Sequence, residues 1–320
     1  MSLFIAILLA CAAAIGFAVG AALQHDAVDL FHRNGRVSTT VQLRLSFRNR
    51  RWLSGLALLL FSAATHIGAL ALAPVTVIQP IGVLAVPLSV IISQKMRKTT
   101  VTRPVWIACA LTITAVTAFT YFSTKIAHSQ DARPNELLWS GLSVLAVSLL
   151  IGLVARTRRF SRRTQVMMWS VSAALLYGYS SGLIKATFIQ IADTPSLNPT
   201  YVAILVAGFT FTYAAGFYCV QRGYATGAPE IVISVLTTAD PLAASIFGLV
   251  LLKEGVGVTP SLYATMAFFA VLAVVGVALL SSNHPDTIQH RSKQEPNDRN
   301  SEGSERTSHE NHDGSRHVRT

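Results

Sequence analysis

The sequence predicts an all-α, polytopic membrane protein of about nine transmembrane helices in two inverted repeats, on the strength of three observations. The chain is 52% hydrophobic and only 13% charged over 320 residues, and several apolar runs reach the roughly 20 residues a helix needs to cross a bilayer. Its lysines and arginines cluster between those runs, so the formal charge of +11 orients the chain in a membrane and does not mark a nucleic-acid partner. One proline-punctuated hairpin is written twice: Ala73-Pro74 through Pro87 to Pro104 recurs about 155 residues later as Ala228-Pro229 through Pro241 to Pro260, the kind of duplication transporters use to line a path.

Hydropathy places the helices at 3–23, 52–73, 75–94, 104–123, 136–155, 166–188, 199–220, 230–252 and 261–281, with ends good to about three residues. The first has no positive residue before it and a strongly basic loop after it, so it reads as a retained helix, not a secretory signal or lipoprotein leader. Trp52, Trp106, Trp139 and Trp169 fall near the starts of helices two, four, five and six, as interfacial anchors do. Helices three and eight carry the internal prolines Pro80, Pro87 and Pro241, expected as helix breaks. Residues 1–123 then form the first repeat, with a basic loop at 24–51. Residues 124–165 are a linker helix and basic loop, and 166–282 the second repeat. Residues 283–320 are polar and charged, with scattered histidines, and read as a disordered tail.

Alternate loops set the orientation. Arg33, Arg36, Arg44, Arg48, Arg50 and Arg51, then Lys95, Arg97, Lys98 and Arg103, then Arg156, Arg158, Arg159, Arg162 and Arg163, then Arg222 lie on one side, against Lys125, Arg133 and Lys253 on the other. This bias puts the N-terminus outside and the C-terminus in the cytoplasm of a multi-pass cell-membrane protein. An odd helix number makes the two repeats enter the membrane from opposite sides. The basic loop after helix one, where Val41, Leu43, Leu45 and Phe47 interleave with arginines, serves as topology anchor or lies against anionic headgroups.

Ionisable residues inside the hydrocarbon cost at least about 2.5–3.5 kcal/mol at a helix centre and are functional candidates by default. Asp240 lies near the midplane, about 15 Å into helix eight. Pro241 behind it frees a carbonyl near Thr237, and Thr238 adds a hydroxyl. Such a carboxylate binds a cation, a cationic substrate or a coupling proton, or else holds helices together. Lys185 near the outer end of helix six either snorkels to the interface or turns inward toward Asp240. His66 and Gln79 fall in the outer half of helices two and three and would line the same cavity. The pairs Gly16-x3-Gly20 and Gly178-x3-Gly182 allow close helix approach, within one subunit or in a homodimer.

Cys11, Cys109 and Cys219 sit inside apolar runs without paired spacing and read as buried small hydrophobes. No metal-ligand cluster, phosphate loop or nucleophile elbow is present, which argues against an enzyme or an ATP-driven pump. No cofactor is called for; Mg²⁺, another cation or a proton would enter as cargo or coupling ion.

Pro74-Val-Thr76-Val-Ile-Gln79-Pro80-Ile-Gly82-Val-Leu84 resembles the NIPA-type magnesium transporters. The stretch from Gln221 to Pro229, then Asp240-Pro241-Leu242 and Leu251-Leu252-Lys253-Glu254, resembles the EamA-like group of the drug/metabolite transporter superfamily, closest to its actinobacterial members. Where NIPA-type proteins carry a glutamate and an asparagine in helix two, this chain has Ala63 and His66, and a Lys-Glu pair occurs only at Lys253-Glu254. The leading expectation is therefore a gradient-driven, bilayer-embedded permease for a small solute, working by alternating access around a site at helices two, three, six and eight. A magnesium or divalent-cation transporter is the alternative, and a lipid- or partner-binding membrane scaffold the third.

Overall fold

The computed structural model describes residues 2–33, 48–96, 100, 102–126, 133–157, 159–192, 198–227 and 229–282. Residues 34–47, half of the expected basic loop, and the whole expected tail lie outside the described residues, while residues 24–33 of that loop instead continue the first helix. Among the described residues the chain is helical throughout: α1 Ser2–Arg33, α2 Arg50–Leu72, α3 Val75–Val83, α4 Ala85–Met96, α5 Arg103–Ser123, α6 Pro134–Ala155, α7 Arg162–Ala192, α8 Pro199–Thr226, α9 Pro229–Val250 and α10 Pro260–Ser282. Helices α3 and α4 together make one span, and with α7 the spans number nine. Eight are long and apolar enough to cross a membrane by length and composition.

The ninth, α7, is 31 residues long but too polar to qualify, and its packing explains why it can afford to be. It runs through the middle of the second half, against α6, α8 and α9, and its polar side chains are buried and bonded. The Ser172 hydroxyl donates to the Ser148 carbonyl of α6 at 3.2 Å, Ser180 and Thr212 of α8 share a hydrogen bond of 2.8 Å, and the Tyr179 hydroxyl donates to the Leu137 carbonyl at 2.6 Å. In a membrane such groups must find protein partners, and facing neighbours rather than lipid is what lets α7 carry them.

The first half is built around α1, which packs on α2, α3 and α4. Ala6, Ala10, Ala13, Ala14 and Ala18 are fully buried along it, and a Cβ on Gly20 would lie 2.9 Å from the Gly55 carbonyl of α2. Gly178 of α7 instead meets α9, where an added Cβ would lie 2.6 Å from the Ala244 amide. Both Gly-x3-Gly pairs thus serve contacts within this chain, on different kinds of partner. The halves meet where α3 packs on α9 and α5 on α10.

Two expectations are corrected. The break expected in the third span falls at neither proline but at Leu84 between them, a single tightened residue at φ −60° and ψ −20°, and Pro87 falls in the first turn of α4, where no amide is needed. Pro80 and Pro241 lie inside helices that continue through them. The corresponding stretch before Pro241 holds no glycine and no second proline. Trp169 is not an interfacial anchor either, since α7 begins earlier than hydropathy suggests and buries the indole to 5% exposure, with the Arg222 guanidinium 5.5 Å above its ring.

Candidate functional site

Asp240 is the twelfth of 22 residues in α9, which puts it about 15 Å from either end of that helix. One turn on lie Ala244 and Phe247, which share its face. That face meets α7, for Ala244 is the residue packed on Gly178, and the Phe247 ring stands 5.4 Å from Tyr179. Asp240 is half-buried there, and its Oδ1 is buried without a hydrogen-bond partner. Tyr177 of α7 feels its charge and shares its surroundings with Tyr213, Cys219 and Tyr224 of α8. The Tyr177 and Tyr213 rings lie 4.9 Å apart, and Phe209 stands 5.6 Å beyond Tyr213. Tyr177 fits because Gly216 has no side chain: a Cβ there would lie 2.7 Å from the ring.

The two threonines beside Asp240 turn back on their own helix. Thr237 donates to the Ile233 carbonyl at 2.9 Å and Thr238 to the Ser234 carbonyl at 2.9 Å, which leaves their oxygens as acceptors only. Pro241 removes the amide that would bond the Thr237 carbonyl, so this turn of α9 offers a carbonyl, two hydroxyl oxygens and a carboxylate.

A narrow cleft lies between α3, α5, α9 and α10, lined by Pro80, Phe119, Thr238, Pro241, Ser245 and Val277 among others. Its walls are apolar except for Thr238 and Ser245. The prolines of the two halves therefore border one space, while Asp240, next to Pro241, looks away from it toward α7.

The remaining expected residues do not join Asp240. His66 belongs to the first half, with its ring 6.3 Å from Phe17 of α1 and facing Gly82 of α3; its Nδ1 is buried without a partner. Gln79 is buried in α3 at 6% exposure. Lys185 neither snorkels nor reaches Asp240. It is 6% exposed, its Nζ donates to the Ala71 carbonyl at 3.4 Å, and the carboxylate acting on it is Glu254.

Glu254 was not expected in the site, although Lys253-Glu254 belongs to the stretch that resembles the EamA-like group. It is 1% exposed, and its two oxygens accept the Val75 and Thr76 amides at 2.9 Å each. These amides open α3, whose N-cap, Pro74, offers no side-chain acceptor. Ala73-Pro74 was the available signal, because a helix starting behind it must take its cap from elsewhere. Gly248 makes the room: a Cβ there would lie 2.6 Å from the carboxylate. Lys253, at φ 50°, turns the chain back so that the Glu254 amide reaches the Gly248 carbonyl at 3.2 Å.

Among the described residues no group of three or more His, Cys, Asp or Glu is arranged to hold a metal ion, so a cation passing Asp240 would meet one carboxylate and keep much of its water. Searches of the curated proteins and of the solved structures find no match to the chain. A family model described as Magnesium transporter NIPA matches residues 2–198, which takes in α1 to α7, the break at Leu84, His66, Gln79 and Lys185. Together with the multi-pass helical architecture, that match places the chain in the NIPA family of membrane transporters, within the drug/metabolite transporter superfamily.

Proposed function

We propose that this protein carries Mg²⁺ or another divalent cation across the cell membrane by alternating access, driven by the ion's own gradient or a coupled one, with Asp240 as the intramembrane ligand. The observation that carries the reading is the mid-span carboxylate with an unpartnered buried oxygen, beside a carbonyl released by Pro241, in a chain of this family. Mg²⁺ is bound through one or two carboxylates and several retained waters, and the Thr237 carbonyl and hydroxyl oxygen would hold some of those waters. The two halves, each with its first helix as hub and its third span broken or strained by proline, act as inverted repeats that rock about the α3–α9 contact. The basic loops lie in the cytoplasm, and the end carrying Glu254 faces outward.

The test is flux into proteoliposomes loaded with a magnesium-sensitive dye, native chain beside Asp240→Asn. Flux in the native chain and a loss of about tenfold or more in the variant is the expected result, since removing the charge removes the strongest ligand. Native flux that Asp240→Asn leaves unchanged would remove Asp240 from the path.

A second reading has an observation of its own. Tyr177, Tyr213 and Phe209 set aromatic rings beside the carboxylate, a combination that suits an organic monocation. Competition by a small quaternary amine in the same assay, weakened by Tyr177→Leu, would favour it over the divalent cation.

A further inference from the structure

The end of the bundle that holds the α2–α3 and α9–α10 connections is tied by charges that cross between the halves. Helix α2 ends at Leu72 and α3 begins at Val75, so this corner exposes a helix C-terminus, partly negative, beside a helix N-terminus, partly positive. The second half answers each with the opposite charge. Lys185 of α7 binds the Ala71 carbonyl, and Glu254 binds the Val75 and Thr76 amides, at sequence separations of 114 to 179 residues. Val75 and Thr76 are fully buried and Glu254 nearly so. Lys185 and Glu254 thus bracket the Ala73-Pro74 turn from its two sides, one on Ala71 and the other on Val75 and Thr76.

We infer that Glu254 is the latch of a gate at this end, and that opening is an exchange of partners. In the sealed state described here the carboxylate holds the start of α3. When α3 swings away, Glu254 gives up the Val75 and Thr76 amides and Lys185 gives up the Ala71 carbonyl, and the two side chains neutralise each other. That second pairing keeps the two charges matched while α3 is away. The exchange is what gives α3 two discrete positions, each with its charges matched, as a two-state element requires. At Leu84 the backbone keeps α-helical angles, its amide donates to the Ile81 carbonyl at 3.0 Å and its carbonyl accepts the Leu88 amide at 3.2 Å, so α3 stays joined to α4 and would move by bending at this tightened turn. Gly248 is the shelf on which the latched carboxylate sits, and only a residue without a side chain leaves it space. The inference rests on the transport reading for its purpose, not for its geometry.

Thr76 supplies the reporter. It is fully buried in the latched state, and its hydroxyl has no hydrogen-bond partner to lose. Thr76→Cys, in a chain carrying Cys11→Ala, Cys109→Ala and Cys219→Ala, is embedded in nanodiscs and treated with a charged, water-soluble methanethiosulfonate. With Glu254 and Lys185 in place the thiol reacts slowly. Glu254→Ala speeds the reaction about tenfold or more, the loss of two charge-assisted hydrogen bonds, and Glu254→Gln, which keeps the shape and an acceptor, gives a smaller rise. Lys185→Met slows the reaction, because the open state loses its ion pair, and Lys185→Met added to Glu254→Ala no longer slows it.

A native labelling rate in both Glu254 variants would overturn the latch. Faster labelling in Lys185→Met would overturn the exchange, since it would make Lys185 a simple clasp on Ala71. The readout needs no cargo. Labelling as expected with no flux of any cation would leave the gate standing and remove the transport proposal, and flux that is normal in Glu254→Ala with unchanged labelling would do the reverse.

Discussion

Gly248 and Lys253 flank the same buried carboxylate and should respond very differently to substitution. Gly248→Ala pushes a methyl group against Glu254 and against Val75, whose Cβ would lie 3.2 Å away. Overpacking of this kind costs about 1–3 kcal/mol, and a lower melting temperature in detergent is the expected outcome. Lys253 pairs with Glu136 at 3.5 Å, but both side chains are more than a third exposed, so Lys253→Ala should change stability by less than about 1 kcal/mol. The two positions, five residues apart, thus differ because only Gly248 has left the solvent. This is also why the site was half legible. Asp240 announced itself as an acid inside an apolar run, and it proved to keep a buried, unpartnered oxygen. Glu254 follows the last apolar stretch of α9, where the Lys253-Glu254 pair marks a family resemblance but nothing shows that its carboxylate is buried until the chain folds back at Lys253. Its burial is a tertiary fact that hydropathy does not carry.

The helices themselves were read well wherever their apolar length alone defined them. Their ends were read poorly where burial against protein replaced burial in lipid. α7 runs from Arg162 to Ala192, four residues past the apolar run at each end, and its polar middle, Ser172, Tyr179 and Ser180, is bonded to α6 and α8, which apolar scoring cannot see. The break in the third span was expected at its prolines and falls at Leu84 instead, because an apolar run scores the same wherever along it the helix is interrupted. Pro241 offers a test at this scale. Pro241→Ala restores an amide donor for the Thr237 carbonyl and should stabilise α9 by about 1 kcal/mol, the net worth of one hydrogen bond. The same change takes that carbonyl from the candidate site. Thermal melting should rise while cation flux falls, a pairing that a purely structural proline would not give. Where α1 crosses α2, Gly55→Ala sets a Cβ 2.8 Å from the Gly20 carbonyl. Backbone cannot step aside as a side chain can, so that variant should melt lower than the native chain.

Across the whole molecule the arrangement distributes its polar groups unevenly: a bonded polar spine along α7, an alanine-rich α1, and an apolar cleft between the halves. The proposed orientation makes a prediction of its own. In intact cells a tag appended after residue 320 should be shielded from impermeant reagents, while one placed before residue 1 is reached, as the basic loops require. Reversal of the two would turn the gate at Glu254 toward the cytoplasm. Chain order adds a last consequence of the Glu254 contact. The amides at Val75 emerge from the ribosome 179 residues ahead of the carboxylate that caps them. At about 5–20 residues per second they wait on the order of ten to thirty seconds. During that interval the nascent first half has the start of α3 uncapped within the membrane or at its edge. A chain stopped after residue 198, where the family match ends, never receives the cap. Biogenesis of the first half is therefore unfinished until the end of the second has been made.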